Sequence, residues 1–407
     1  MKILGVAKAA LYGIFLNYYC YYVLAGSFIP GGTVLFFAAA CGCVAIDVLQ
    51  QRHVYVGSEI RSWIIYAILS LLTTAVITMG GSMDFLGDIA KFVQRLMIIM
   101  MIAYICEREG SVKFGLQLMA VTAVAAAVSI MSVTGDIQLK LDITTEAELS
   151  ANDIGALMSF GCFALMHAWG KRGNSSLILS ALKTAGFLCC VIVIFLAGSR
   201  KSIGAVVIML VLLLLFCGTD YIKNAYFKRI IVVAVVGVLA YLVVTKYLLD
   251  LATQTNLYDR LFGDNAEGAA QSDEIRKTYY IWALEHFAEH PLFGIGFNMF
   301  KKLHGNYSHS TYAEPVACSG LIGLFCLYPY FSMVRKQIYL IRNSKPGSAA
   351  RLKQKEMLVY LCMTLFVAVG IPYMYKDIPC ILLGTFIGSQ TISFRELERT
   401  GRTSAEY

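Results

Sequence analysis

Charged side chains are scarce in this chain. Asp, Glu, Lys and Arg supply 15% of its 407 residues while hydrophobic types supply 58%, whereas a soluble domain carries roughly 25% charged residues. With a mean hydropathy of +0.66, an ordinary soluble domain is excluded and an integral membrane protein is implied. Paired cysteine motifs are missing too. None of the 12 cysteines forms a CxxC pair, and most, such as Cys41, Cys189, Cys190 and Cys217, fall inside apolar runs, so they read as small core hydrophobes rather than a disulfide or metal framework. Internal repeats, heptad seams and low-complexity tracts are absent, which excludes solenoids and coiled coils. The formal charge of +8 does not point to nucleic acid, because the surplus sits in short loops on one side and orientation accounts for it.

What is present is a series of apolar windows, each near the length of roughly 20 residues that crosses a bilayer. They predict an all-α polytopic membrane protein with about twelve transmembrane helices, centred near Phe15, Ala40, Leu71, Ile98, Val124, Gly161, Val191, Leu210, Val238, Leu324, Thr364 and Leu383. Residues 1–249 are read as helices one to nine and 250–313 as a long extracytoplasmic loop. Residues 314–393 are read as helices ten to twelve and 394–407 as a cytoplasmic tail. Lys2 and Lys8 before Ala25-Gly26-Ser27 imitate a secretory signal, but the run continues into further spans and is read as retained. Most Lys and Arg fall on the side that holds both termini, which makes that side cytoplasmic and turns the long loop outward.

Polar features stand out against this background. The fourth span carries Asp88, Lys91 and Arg95 near one face. Lys91 can snorkel at an interfacial first turn, or Arg95 can lie deep enough to face a polar cavity. The outward loop Gly135–Ser150 is acidic and returns to the membrane at Asn152-Asp153. The hairpin Gly198-Ser199-Arg200-Lys201-Ser202 sets two cations at the outer interface. Within the long loop a helix is expected from Glu274 towards Glu289, capped by Ser272 or Asp273 and stopped by Pro291. Its aromatic residues suit the headgroup layer. Gly294 and Gly296 then mark a turn, and His309 precedes a tenth span expected to begin at Glu314-Pro315.

Four stretches in order resemble the O-antigen ligase and O-antigen polymerase family of bacterial membrane glycosyltransferases. They are Gly198-Ser199-Arg200, then Arg276 with Trp282, then His290-Pro-Leu-Phe-Gly-Ile-Gly296, and His309, Tyr312 and Glu314 followed by Gly320-Leu-Ile-Gly323. The resemblance extends from about Asn152 to Leu327. His290 stands where the family usually has Asn, and Ala313 replaces a bulkier apolar residue.

The resemblance implies transfer of a sugar chain from a polyprenyl diphosphate to the hydroxyl of an acceptor glycan, in the bilayer of the bacterial cytoplasmic membrane and on its outer side. Other polysaccharide-assembly membrane proteins are further implied partners; no cofactor is implied. A leaving diphosphate requires fixed cations, a task suited to the planar, permanently charged fork of Arg. Arg200 and Arg276 are the expected ones, with Arg95 reaching either phosphate or a buried acid. Each of the first two reads also as an interfacial anchor. His309 is the expected general base, though His286, His290 and His304 share its loop. Glu314 can orient or replace it, or simply cap a helix. Asn152, Trp282 and Tyr312 are candidate sugar contacts, or packing. The outward loops lack a D-x-D pair and Gly26–Gly32 lacks a carboxylate, unlike oligosaccharyltransferases that hold a divalent ion there, so a metal-independent, inverting displacement is expected. A transporter or flippase of lipid-linked sugars is the main alternative, and it calls for repeated halves and helices broken near their middles. A scaffold subunit with a dead site is the third.

Overall fold

The computed structural model describes residues 2–21, 32–51, 57–77, 84–133, 151–167, 177–197, 199–222 and 266–399. The acidic loop 135–150, Gly198, the span expected around Val238 and the first part of the long loop lie outside the described residues. Every regular element among the described residues is helical. In order they are α1 (Lys2–Leu16, continued by a π turn), α2 (Gly32–Gln51), α3 (Ser58–Ile77), α4 (Asp84–Glu109), α5 (Lys113–Val133), α6 (Ala151–His167) and α7 (Leu177–Leu196). There follow α8 (Arg200–Ile222), α9 (Ala266–Glu289), α10 (Met299–His304), α11 (Ala313–Ser319), α12 (Gly323–Asn343), α13 (Ala349–Ala368) and α14 (Ile378–Arg399). Each expected span centre except Val238 lies in one of these helices.

Six segments among the described residues are long and apolar enough to cross a membrane, namely Gly32–Gln51, Ser58–Ile77, Phe85–Glu109, Lys113–Ser132, Ile178–Leu196 and Ala313–Asn343. The chain is thus an all-α polytopic membrane protein. Val34, Leu35, Ile178, Leu182 and Leu215 lie exposed on the outside of the bundle, where lipid replaces water as solvent. One of the more polar helices is deeply enclosed. From Ile378 to Ser393 every residue of α14 is buried. Thr385, Thr391 and Ser393 donate back to carbonyls four residues earlier, and Gln390 donates to the Met333 carbonyl at 2.7 Å. Polar side chains persist there because protein, not hydrocarbon, surrounds them.

α14 packs along α4, and its Gly384 and Gly388, four residues apart, allow the backbones to approach closely. A Cβ on Gly388 would stand 2.6 Å from the Cβ of Cys106. This contact brings Asp377, just before α14, to Arg95 on α4.

Two expectations change. The long-loop helix begins at Ala266, not Glu274, so Ser272 and Asp273 lie within it rather than capping it. The Ala-Glu-Gly-Ala-Ala stretch ahead of them continues the helix, which ends at Glu289 before Pro291 as expected. The tenth span is also not one helix. It is broken into α11, a 3₁₀ turn at Gly320–Ile322, and α12.

The α4–α14 contact predicts that Gly388→Val lowers stability by about 1–3 kcal/mol through overpacking. The thermal midpoint of the purified protein in detergent measures it, with Val34→Ala on the outer surface of α2 as a neutral comparison.

Candidate functional site

The break in the tenth span is filled by the turn that follows α9. Ile295 and Gly296 donate their backbone N–H groups to the carbonyls of Ala317 and Cys318, and Leu321 N–H donates to the Pro291 carbonyl. Gly294 and Gly320 both have positive φ, 66° and 57°. A Cβ on Gly320 would lie 2.5 Å from the Pro291 oxygen, and one on Gly294 would collide with the Cys318 carbonyl carbon. The paired glycine motifs of the sequence therefore make one joint. The turn is pinned to the bundle by Phe297 N–H donating to Thr74 Oγ1 at 2.8 Å and Asn298 Nδ2 donating to Asp88 Oδ2 at 2.6 Å.

His309 lies on the short connection between α10 and α11, which is fastened to the connection between α13 and α14. Thr311 N–H donates to the Ala368 carbonyl, and Thr311 Oγ1 donates to Ile371 O and accepts from Tyr373 N–H at 3.0 Å. Tyr312 Oη donates to Leu365 O at 2.9 Å, and the Tyr307 ring stacks on Tyr375 with centroids 4.5 Å apart. From below, Glu314 Oε2 accepts the Ser308 N–H at 2.6 Å. These restraints hold His309 at φ 57°, a left-handed conformation that costs a non-glycine residue about 1–3 kcal/mol and persists only where its surroundings impose it.

Two further elements close on the same place. Tyr280 of α9 donates to the Val369 carbonyl at 2.8 Å, which docks the helix carrying Arg276. The Tyr279 ring lies 5.8 Å from the His309 ring. At the start of α8, the Ser199 and Ser202 hydroxyls are 2.8 Å apart, and Ser199 Oγ donates to Asn152 Oδ1 at 3.4 Å. Ser159 of α6 donates to the Ser202 carbonyl at 3.1 Å. The turn is thus seated on α6, and the Lys201 side chain lies directly over Gly370, filling the space a Cβ there would take.

The result is an imidazole within electrostatic reach of three cations. Burial, then the charges of Arg276, Lys201 and Lys376, push His309 down to about 4, with Asp153 opposing them weakly. His309 is consequently neutral at physiological pH. Two ion pairs border the pocket, Lys376 Nζ to Asp153 Oδ2 at 2.7 Å and Arg95 Nε to Asp377 Oδ1 at 2.6 Å.

Of the residues singled out in sequence, Arg276 and His309 are brought together. Arg200 opens α8 beside Lys201, and its side chain lies outside the described residues. Arg95 meets a buried acid, the second of its two expected roles. Asn152 supports the Ser199 turn. Trp282 stacks on His304 at 4.2 Å within a small core formed with Ala283, Phe300 and Ala317. His304 in turn meets His286, Nε2 to Nε2 at 2.8 Å. Tyr312 is tied to the Leu365 carbonyl. Glu314 is 0% exposed, so in this structure it shapes the His309 loop and has no surface with which to touch a sugar. Sequence reasoning missed Lys376 and Asp153 as site residues and named Lys201 only as a neighbour of Arg200. Lys376, a cation in the turn before the last span, was the available signal.

The site is thus a neutral imidazole near three cations within an all-helical membrane bundle. Residues 185–328, about a third of the chain, match the family model of the O-antigen ligases, which supports the resemblance to that family read from the sequence. No curated protein matches the chain. The coarse class follows: a membrane enzyme of polysaccharide assembly in the bacterial cell envelope.

The joint predicts that Gly320→Ala, which adds both backbone strain and a clash with Pro291, lowers the thermal midpoint and weakens protection of 291–296 from hydrogen exchange. Gly305→Asn is its comparison. Gly305 also has positive φ but open space around its Cβ position, and Asn tolerates that backbone region, so a change well under about 1 kcal/mol is expected.

Proposed function

We propose that the protein is a metal-independent, inverting glycosyltransferase. It would transfer polyprenyl-diphosphate-linked oligosaccharide to a glycan acceptor outside the cytoplasmic membrane, with both termini cytoplasmic and repeat-unit polymerisation favoured over ligation. The observation that carries this reading is the neutral His309 among Arg276, Lys201 and Lys376.

In the reaction, the acceptor hydroxyl gives its proton to the His309 imidazole as its oxygen attacks the anomeric carbon. The bond from that carbon to the diphosphate oxygen breaks, and its electron pair leaves with the diphosphate, which gains one negative charge. A single displacement inverts the anomeric centre. The cations, with Arg200 as a further member, hold the diphosphate where charge develops, and such preorganised groups act without reorganising. Arg276 supplies a planar fork for two phosphate oxygens. Tyr279 offers an aromatic face beside the base, while Asn152, Trp282 and Tyr312 frame the pocket from the second layer.

The same cations set the base strength. They oppose protonation of His309, and a bound diphosphate offsets them, so loading the donor raises the affinity of His309 for the acceptor's proton.

This reading predicts two separable pH profiles. A folded-state value depressed below the ordinary His value of about 6.5 means that His309 stays neutral as pH falls and protonates only near 4. The acid limb of kcat/KM, which reports the free enzyme, therefore lies near 4, and that of kcat, which reports the loaded enzyme, lies at higher pH. Coincident limbs near the ordinary His value would contradict the coupling. His309→Ala is expected to lower transfer by about 10²- to 10⁴-fold, and Arg276→Ala by about 10²-fold or more. Lipid-linked oligosaccharide and acceptor glycan in detergent provide the assay. Product there separates an enzyme from a flippase, since detergent abolishes sidedness. Loss of transfer in EDTA with recovery on adding magnesium would refute metal independence.

A further inference from the structure

Lys376 is ion-paired with a buried acid. Its Nζ lies 2.7 Å from Asp153 Oδ2, and Asp153 is 3% exposed while the Lys376 side chain is 26% exposed. The acid is held within the bundle at the start of α6, and the lysine side chain is partly exposed. Its partner in sequence, Asp377, is held by Arg95, so the backbone at 376 is anchored while the long lysine stem can turn. The connection that carries it, 369–377, also receives Tyr280 from α9 and fastens the His309 loop through Thr311. Lys376 is therefore positioned relative to both Arg276 and His309.

We propose that Lys376 is a shared cation, bonded to Asp153 in the structure and passing to the donor's diphosphate as the glycosyl bond breaks. This rests on the transferase reading above. When the bond to the anomeric carbon breaks, its electron pair stays on the diphosphate, and the additional charge lies in a pocket where a flexible ammonium is within reach. A cation bonded to Asp153 before transfer and to phosphate during it strengthens binding most where the charge is largest, which is the condition for accelerating the step. Asp153 is a positioning residue in this scheme. It stores the lysine and lowers the pocket's hold on the donor.

The two partners therefore predict opposite signs. The probe is farnesyl diphosphate, a short prenyl diphosphate with the charge of the leaving group, titrated into the full-length protein in detergent. Lys376→Met is expected to weaken its binding about tenfold, the loss of one phosphate contact. Lys376→Arg is expected to restore most of the affinity. Asp153→Asn is expected to tighten binding several-fold by releasing Lys376, and the double variant to match Lys376→Met. Tightening cannot arise from a misfolded protein, so the acid variant keeps the test informative even where the lysine variant is unstable. Equal weakening by both single variants would make the pair merely structural, and unchanged affinity in both would remove Lys376 from the pocket; either overturns the proposal. Transfer assayed on the same preparations separates the two claims. The opposed signs without glycan transfer by the wild type uphold the shared cation and refute the transferase, while transfer with binding indifferent to Lys376 does the reverse.

Discussion

Like charges placed together where water is partly excluded repel, and the end of the bundle that carries His309 is arranged around that constraint. Arg276, Lys201 and Lys376 come from three separate stretches of chain, and none would gather at His309 unaided. Contacts elsewhere on the elements that carry them help to bring them there. Tyr280 docks α9, the serine turn seats α8 on α6, and Thr311 and Tyr373 join the His309 loop to the connection before α14. Asp153 then offsets part of the repulsion. Electrostatic strain of this kind is held by packing.

The same logic explains the backbone of His309. A left-handed histidine is unfavourable by itself, yet hydrogen bonds to Ala368 and Ile371 and the buried Glu314 leave its loop no alternative path. The joint between Pro291 and Leu321 serves a related purpose. By seating the turn after α9 in a break of the tenth span, it helps to fix α9, which carries Arg276, relative to the loop that carries His309. Two glycine motifs that look like independent turns in the sequence are the two halves of one contact.

Legibility in the sequence followed charge and hydropathy, and failed where three-dimensional enclosure overrode them. Arg276 and His309 were singled out by the family resemblance, since an interfacial Arg has an ordinary use as an anchor and position alone did not separate His309 from His286, His290 and His304 of the same loop. Lys376 was hidden by distance, on a short turn far along the chain whose relation to Arg276 exists only in the folded bundle. Glu314 looked like a cap or a ligand because composition cannot reveal complete burial. Trp282 had the residue type of a sugar platform, but helical spacing does not show that its indole would stack on His304. The break at Gly320 lay within an apolar run, where hydropathy sees only a continuous span. α14 is the reverse case: its Thr, Ser and Gln lower its hydropathy although it is deeply enclosed.

The broken tenth span is also the feature a transporter would most resemble, since transporters bind ions and substrates at unwound helix ends. What matters is whether the backbone groups freed by the break remain available. Here they do not. The carbonyls of Ala317 and Cys318 accept from Ile295 and Gly296, and the Leu321 N–H is taken by Pro291. Pro329, inside α12, lies buried within a continuous helix rather than at a second break. A gap saturated by a neighbouring loop is a rigid joint with no free groups for a passing solute, and opening it would sacrifice those hydrogen bonds inside a low-dielectric bundle.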